Sequence, residues 1–323
     1  MGAATLVALV ISGLTGLTPI SPKQGDVGML SGFANGTIWL IAIAMFLSRA
    51  VIKTGLGKRI ALYFVGRFGK KMMGVAYGMA LADVVIGPGI PSASARGGGI
   101  MYPIMQSIAD AYESKPGPTA RRAGAFLAIA VSQIDTIICT MFLTAMAGNP
   151  LIAELAKSQG VEITWMTWFL GAIVPGIVSL IVLPYFVYLI YPPELKDTPK
   201  MAEMAREELK SMGPMSKAEW ILALDFILLL FLWTVGDLVF HIPATISAFI
   251  GLVILLLTNI MSWKNIVAET TAWDTMFWFA VLVMMANALN KYGAITWIST
   301  HISASVGDFS WPVAFTILVL VYF

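Results

Sequence analysis

Ser92 and Ser94 sit two positions apart in the stretch Gly87-Pro88-Gly89-Ile90-Pro91-Ser92-Ala93-Ser94-Ala95-Arg96-Gly97-Gly98-Gly99, which breaks the long apolar run from Met72 to Ser114. Their hydroxyls are neutral hydrogen-bond donors. At the start of a helix they would join unpaired backbone N–H groups and the positive end of the helix dipole, a combination that favours an anion without burying a cation. The same serines would equally serve as caps of that helix. A second break, Ala145-Met146-Ala147-Gly148-Asn149-Pro150, follows Thr144. Thr144 and Asn149 suit polar contacts to a solute, and the carbonyls of Ala147 and Gly148, with Ser92, suit a small cation. An ordinary helix end has the same composition. Asp83, Arg96 and Asp135 fall inside apolar segments, where charges are functional candidates by default. Arg96 would either lend positive potential to an anion or pair with Asp83 or Asp135. An intramembrane hydrolase needs a base beside its nucleophile. His241 and His301 fall near predicted membrane edges, away from Ser92, so no catalytic residue is assigned. The single cysteine, Cys139, lies in an apolar run, which leaves no disulfide framework and no thiol metal site.

The elements that must hold these residues are membrane helices. Of 323 residues, 58% are hydrophobic and 12% charged, with mean hydropathy +0.83. Soluble domains carry about 25% charged residues, so the sequence predicts an all-α polytopic membrane protein in contact with the lipid bilayer. Its basic residues sit in loops between spans, which gives no face for nucleic acid. Lys53, Lys58, Arg59, Arg67, Lys70 and Lys71 precede the broken apolar run, and Lys115, Arg121 and Arg122 follow it. Basic loops stay cytoplasmic. With both flanks on one side, the segment near 72–113 must dip into the membrane and return as a re-entrant hairpin. Irregular backbone at that depth is tolerated where it lines a cavity or is buried in protein, and such half-helices form the solute sites of many secondary transporters.

Spanning takes roughly 17–25 apolar residues. That length predicts helices over 4–17, 37–52, 123–147, 168–191, 220–238, 243–261 and 276–289. Interfacial helices are expected over 57–68 and 295–306, and a short helical piece over 151–158. Trp165, Trp168, Trp220, Trp233, Trp263, Trp297 and Trp311 fall near span ends and read as interfacial anchors. Arg49 reads as snorkelling to the cytoplasmic edge. The hydrophilic linker 192–219 holds five basic and six acidic residues and is expected to be partly helical over 201–212. This topology places 15 of the 20 basic residues in cytoplasmic segments and Lys23, Lys157 and Lys291 outside, as the positive-inside tendency requires.

There is an internal echo. Thr37-Ile38-Trp39 matches Thr271-Ala272-Trp273, and Lys53-Thr54-Gly55 matches Lys291-Tyr292-Gly293. Gly55 and Gly69 are 14 positions apart, as are Gly293 and Gly307. The expected organisation is a first inverted repeat over 1–191, a cytoplasmic linker over 192–219 and a second repeat over 220–323. The apolar run from Pro312 to Phe323 is shorter than a span, so the sequence reads as a fragment whose second hairpin tip would lie beyond Phe323.

The phrase Ile52-Lys53-Thr54-Gly55-Leu56-Gly57-Lys58-Arg59-Ile60-Ala61-Leu62, followed by Pro91-Ser92-Ala93-Ser94-Ala95-Arg96-Gly97-Gly98, resembles the divalent anion/sodium symporter family. The look is nearest to its bacterial citrate/succinate and tartrate/succinate antiporters and plastid 2-oxoglutarate/malate translocators. The stretch from Trp273 to Gly307 is similar too. The resemblance implies an inverted-repeat secondary transporter with re-entrant helical hairpins, a homodimer, and small carboxylate anions as cargo. It also implies a multi-pass protein of the bacterial inner (cell) membrane. The family signature Ser-Asn-Thr falls on Ser92, Ala93 and Ser94, so Ala93 replaces an amide that in the family helps hold carboxylate and, in symporters, sodium. Transport of di- or tricarboxylates by anion exchange, with no cofactor, is therefore the expectation. The alternatives are a symporter with Na+ as coupling ion and a non-functional truncated carrier.

Overall fold

The computed structural model describes residues 2–306 and 309–322, so Gly307, used in the sequence repeat, and Phe323 lie outside the described residues. Among the described residues there are helices and no strands; the one β-bridge joins Lys71 and Asp197. In chain order the helices are α1 (Gly2–Leu14), α2 (Gly36–Thr54), α3 (Leu56–Phe68), α4 (Met72–Ile86), α5 (Tyr102–Ala111), α6 (Gly124–Met141), α7 (Gly148–Ser158) and α8 (Trp165–Ile190). They continue as α9 (Pro199–Ser211), α10 (Lys217–Phe231), α11 (Asp237–Phe240), α12 (Ala244–Leu257), α13 (Trp263–Val267), α14 (Thr270–Lys291), α15 (Ala294–Val306) and α16 (Trp311–Tyr322). Six helical stretches are long and apolar enough to cross a membrane: Gly36–Thr54, Met72–Gly89, Gly124–Met141, Trp165–Ile190, Lys217–Phe240 and Thr270–Lys291.

The chain packs as two compact units, Met1–Ile38 with Asp274–Phe323, and Trp39–Trp273. Their boundaries fall inside α2 and α14 and do not follow the repeat boundaries at 191 and 219; packing and internal symmetry are different properties. In the first unit Leu9, Val281 and Met284 are buried together, with Met29, Phe33 and Phe277 packed around them. A Cβ on Gly32 would lie 1.8 Å from the Ala280 carbonyl oxygen, so only glycine lets that turn rest on α14. Lys291 bonds the Asp26 carboxylate and holds that carboxyl below its usual range.

The second unit carries the broken hairpin. α4 ends at Ile86, where Gly87-Pro88-Gly89 forms a 3-10 turn. The chain is then extended to Ser92 and re-enters helix as a π-helical stretch, Ser94–Met101, continuous with α5. Three consecutive glycines, Gly97 to Gly99, give that stretch little reason to close a regular α-helix, since glycine weakens helix interiors by roughly 1 kcal/mol each. Both ends of the hairpin return to one place. Met72 N–H donates to Lys196 O (2.9 Å) and Thr198 N–H to Lys70 O (2.8 Å), while Glu194 and Leu195 N–H donate to Arg121 and Arg122 O (2.9 and 3.1 Å). A segment that leaves the linker and comes back to it is a hairpin.

Helix boundaries differ from expectation where side chains intervene. The helix expected over 123–147 stops at Met141, because Asn149 Nδ2 donates to the Cys139 and Phe142 carbonyls (2.6 and 3.0 Å) and satisfies the end of α6. α8 starts at Trp165 and not at 168, set by a capping box between Thr164 and Thr167. Trp165 and Trp233 are buried and not interfacial: their Nε1 groups donate to Thr144 Oγ1 (3.2 Å) and Ala244 O (3.1 Å). Arg49 is half exposed, 3.8 Å from Glu269.

The two sequence echoes have the same local form. Thr37 and Thr271 each occupy the second position of a long helix, α2 and α14. Gly55 and Gly293 then each turn the chain in the left-handed region, at φ 80° and 78°. Each glycine is followed by a helix of 13 residues, α3 and α15.

Candidate functional site

The site is organised by Arg96, whose side chain is fully buried. A guanidinium has five N–H donors in a fixed fork, and here acceptors from five residues meet it. Nε donates to Asp83 Oδ1 (2.9 Å). Nη1 donates to the carbonyls of Ile90 (2.7 Å) and Ala145 (2.7 Å). Nη2 donates to Asp135 Oδ1 (2.7 Å) and Cys139 Sγ (3.1 Å). Of the two roles open to Arg96, the geometry shows pairing, and with both aspartates at once. The cation is spent on protein and is not a countercharge for a solute. It also ties four pieces together: α4 through Asp83, the tip through Ile90, α6 through Asp135 and Cys139, and the second break through Ala145. Desolvating a charge costs several kcal/mol unless excellent geometry returns it. Asp83 Oδ2, by contrast, has no partner among the described residues.

Thr144 completes the frame. Its hydroxyl donates to Pro88 O (2.7 Å) inside the tip's 3-10 turn and accepts from Trp165 Nε1 (3.2 Å). The two breaks therefore face each other. Thr144 and Asn149 are both buried, and their side-chain donors go to backbone carbonyls. Ala147 and Gly148 begin α7 in right-handed helical backbone.

The tip itself is more open. Ser92 is half-buried and its Oγ accepts from Ala95 N–H (3.2 Å), so it caps the following helix while its own proton remains to donate. Ala93 is half-buried, and Ser94 is exposed with no side-chain hydrogen bond among the described residues. Further along the same segment, between it and α6, lies a cavity of about 290 Å³ bounded by Gly97, Gly98, Tyr102, Ser132 and Asp135; Ser92, Ala93 and Ser94 do not line it. That is near the lower end of the usual range of ligand pockets, roughly 300–1,000 Å³. A Cβ on Gly97 would come 3.5 Å from Asp135 Oδ2, and one on Gly98 would meet open space.

Several participants carry no signal of their own in the sequence. The Ile90 and Ala145 carbonyls are chosen by geometry, and Cys139 is a lone thiol one turn beyond Asp135 on the same face of α6. Asp225 had a signal, an acid inside an apolar span. It is buried in α10 with neither carboxylate oxygen partnered among the described residues.

Comparison with known proteins agrees with this architecture. The whole chain, residues 1–323, matches the family described as the sodium:sulfate symporter transmembrane region. It is 49% identical over 98% of its length to a Bacillus subtilis (strain 168) protein, YflS, that carries a provisional malate-transporter name. It is 44% identical over its full length to dicarboxylate transporter 1, chloroplastic, of Spinacia oleracea. It is 33% identical over 91% of its length to an L-tartrate/succinate antiporter of Escherichia coli O6:K15:H31. The chain spans 65%, 56% and 60% of those three relatives. Matched from end to end, and with six helices long and apolar enough to cross a membrane, the chain is a multi-pass membrane protein belonging to the sodium:sulfate symporter, or divalent anion/sodium symporter, family.

Proposed function

We propose that the protein containing this chain is a secondary transporter of di- or tricarboxylate anions, of the malate, succinate, 2-oxoglutarate, citrate or tartrate type, and that it works by exchange. The observation that carries this is the tip: an apolar hairpin broken at its far end, where Ser92 and Ser94 hydroxyls sit at the start of a helix and Arg96 locks the break in place. Neutral donors at a helix start hold a carboxylate well. The names of the relatives, dicarboxylate transporter and tartrate/succinate antiporter, support the same cargo and mode.

In this reading Ser92 and Ser94 touch the carboxylate, while Thr144, Asn149 and the Asp83–Arg96–Asp135 triad form the frame. Ala93 contributes a methyl group, which cannot ligate a hard cation, so sodium is not needed. One observation favours a second reading, sodium-coupled symport: Asp135 and Ser132 line a cavity of about 290 Å³ together with Gly97 and Gly98. A homodimer in a bacterial cell membrane, built of two inverted repeats, is part of the proposal. Counterflow in proteoliposomes loaded with succinate, with choline replacing sodium on both sides, tests it. Exchange without sodium supports the first reading. Uptake that requires a sodium gradient and no internal carboxylate supports the second.

A further inference from the structure

A second cavity of the second unit lies away from the tip serines. It is an open groove of about 850 Å³ lined by α3, α4, α9 and α10. Its walls are apolar: Tyr63 from α3, Val85 from α4, and Ile227 and Leu230 from α10. Tyr63, Val85 and Ile227 are among the more exposed large side chains of the chain. Its charged lining residues are Arg59, Arg206 and Lys210, with no acid among them. Arg59 is spent on Glu219, at 2.6 Å. Arg206 uses Nε on Gly66 O (2.8 Å) and has its two remaining nitrogens to offer. Lys210 is exposed and has no acidic partner among the described residues, while the nearby Glu208 is taken by Lys58 at 2.6 Å.

We propose that this groove is a binding site for an anionic glycerophospholipid, its phosphate at Lys210 and Arg206 and an acyl chain along Tyr63, Ile227 and Val85. The lining matches one amphiphile: cations on the linker helix α9 and apolar side chains on α3, α4 and α10. Basic pockets between helices take anionic headgroups for this reason. The groove also touches the hairpin. Val85 and Ile86 are the last residues before the tip turn, and Phe226, which also lines the groove, packs so closely that a Cβ on Gly89 would lie 2.6 Å from its ring. A lipid chain in the groove would therefore bear on the elements that position Pro88 and Ile90. The inference rests on the chain spanning a membrane and not on which solute it carries.

Native mass spectrometry of the purified full-length protein, titrated with phosphatidylglycerol or with phosphatidylcholine of the same acyl chains, tests this. Wild type should retain phosphatidylglycerol preferentially. Lys210→Gln should weaken it about fivefold and leave phosphatidylcholine unchanged, since each basic residue near a headgroup contributes about 1 kcal/mol. Ile227→Trp should displace both lipids from the groove. Unchanged thermal melting of Lys210→Gln would show that the loss is not unfolding. The proposal is overturned by equal retention of the two lipids in wild type or by unaltered phosphatidylglycerol binding in Lys210→Gln. Competition by free inorganic phosphate, or cross-linking that places a second copy of the chain in the groove, would overturn it as well.

Discussion

At the scale of single residues, the site divides into side chains that hold the frame and side chains left over for a ligand. Arg96 is the extreme of the first kind. Arg96→Met would leave Asp83 and Asp135 buried without their cation, and breaking such a pair costs about 3–5 kcal/mol. The expected result is a large fall in melting temperature and in yield of folded protein, read by a thermal-shift assay in detergent; a stable, active variant would contradict the packing seen here. Ser94 is the opposite case. Its hydroxyl is exposed and has no protein partner among the described residues, so Ser94→Ala should move stability by no more than about 0.5 kcal/mol. If the hydroxyl donates to a carboxylate, the lost charge-assisted bond is worth roughly 1.5–3 kcal/mol, and the apparent KM should rise about tenfold or more. Ser92→Ala would mix this loss with that of the cap on Ala95. Legibility follows the same division. Ser92, Ser94, Asp83, Arg96 and Asp135 stand out in the sequence because polar groups are rare in apolar runs. The acceptors on Ile90, Ala145 and Cys139 do not, because a backbone carbonyl has no sequence signature and a lone thiol is ambiguous.

At the scale of elements, the two breaks work as one joint. The Thr144 hydroxyl fixes the second break to Pro88 of the first, and Asn149 closes the end of α6. Thr144→Val keeps the volume and removes the bond, leaving Pro88 O and Trp165 Nε1 to find other partners. A loss of about 1–3 kcal/mol is expected, seen as a lower melting temperature together with slower transport; an unaltered melting curve would show that the staple is dispensable. The hairpin reading is open to a direct check. Lys71 and Lys115 are exposed at its two ends, whereas Ser114 is buried and bonded to the Ala123 and Gly124 N–H groups. Cysteines at Lys71 and Lys115 should label from the same side of the membrane, and labelling from opposite sides would mean that the segment crosses. Helix existence was legible from apolar length and basic flanks. Helix ends were not, because they are decided by tertiary partners such as Asn149 or by capping boxes such as Thr164–Thr167. Trp165 and Trp233 were misplaced at the interface for a related reason: a tryptophan near a span end reads as an anchor, and only the fold reveals that Thr144 or Ala244 takes its N–H.

At the scale of the whole molecule, the chain is a polytopic membrane protein with a broken hairpin whose buried cation, Arg96, is held by protein groups, and exchange is its proposed mode. The fold and the family were readable from the residues 52–62 and 91–98 together with the apolar pattern. The two packing units were not, since they depend on which helices bury which faces, and α2 and α14 each serve both. Succinate counterflow by the full-length protein in liposomes without sodium on either side decides between exchange and symport. Rapid exchange of external labelled dicarboxylate for internal succinate is expected, with apparent affinity lowered about tenfold by Ser94→Ala and the maximal rate of that variant retained. Transport that appears only with an inward sodium gradient, needs no internal carboxylate and is indifferent to Ser94→Ala would contradict it.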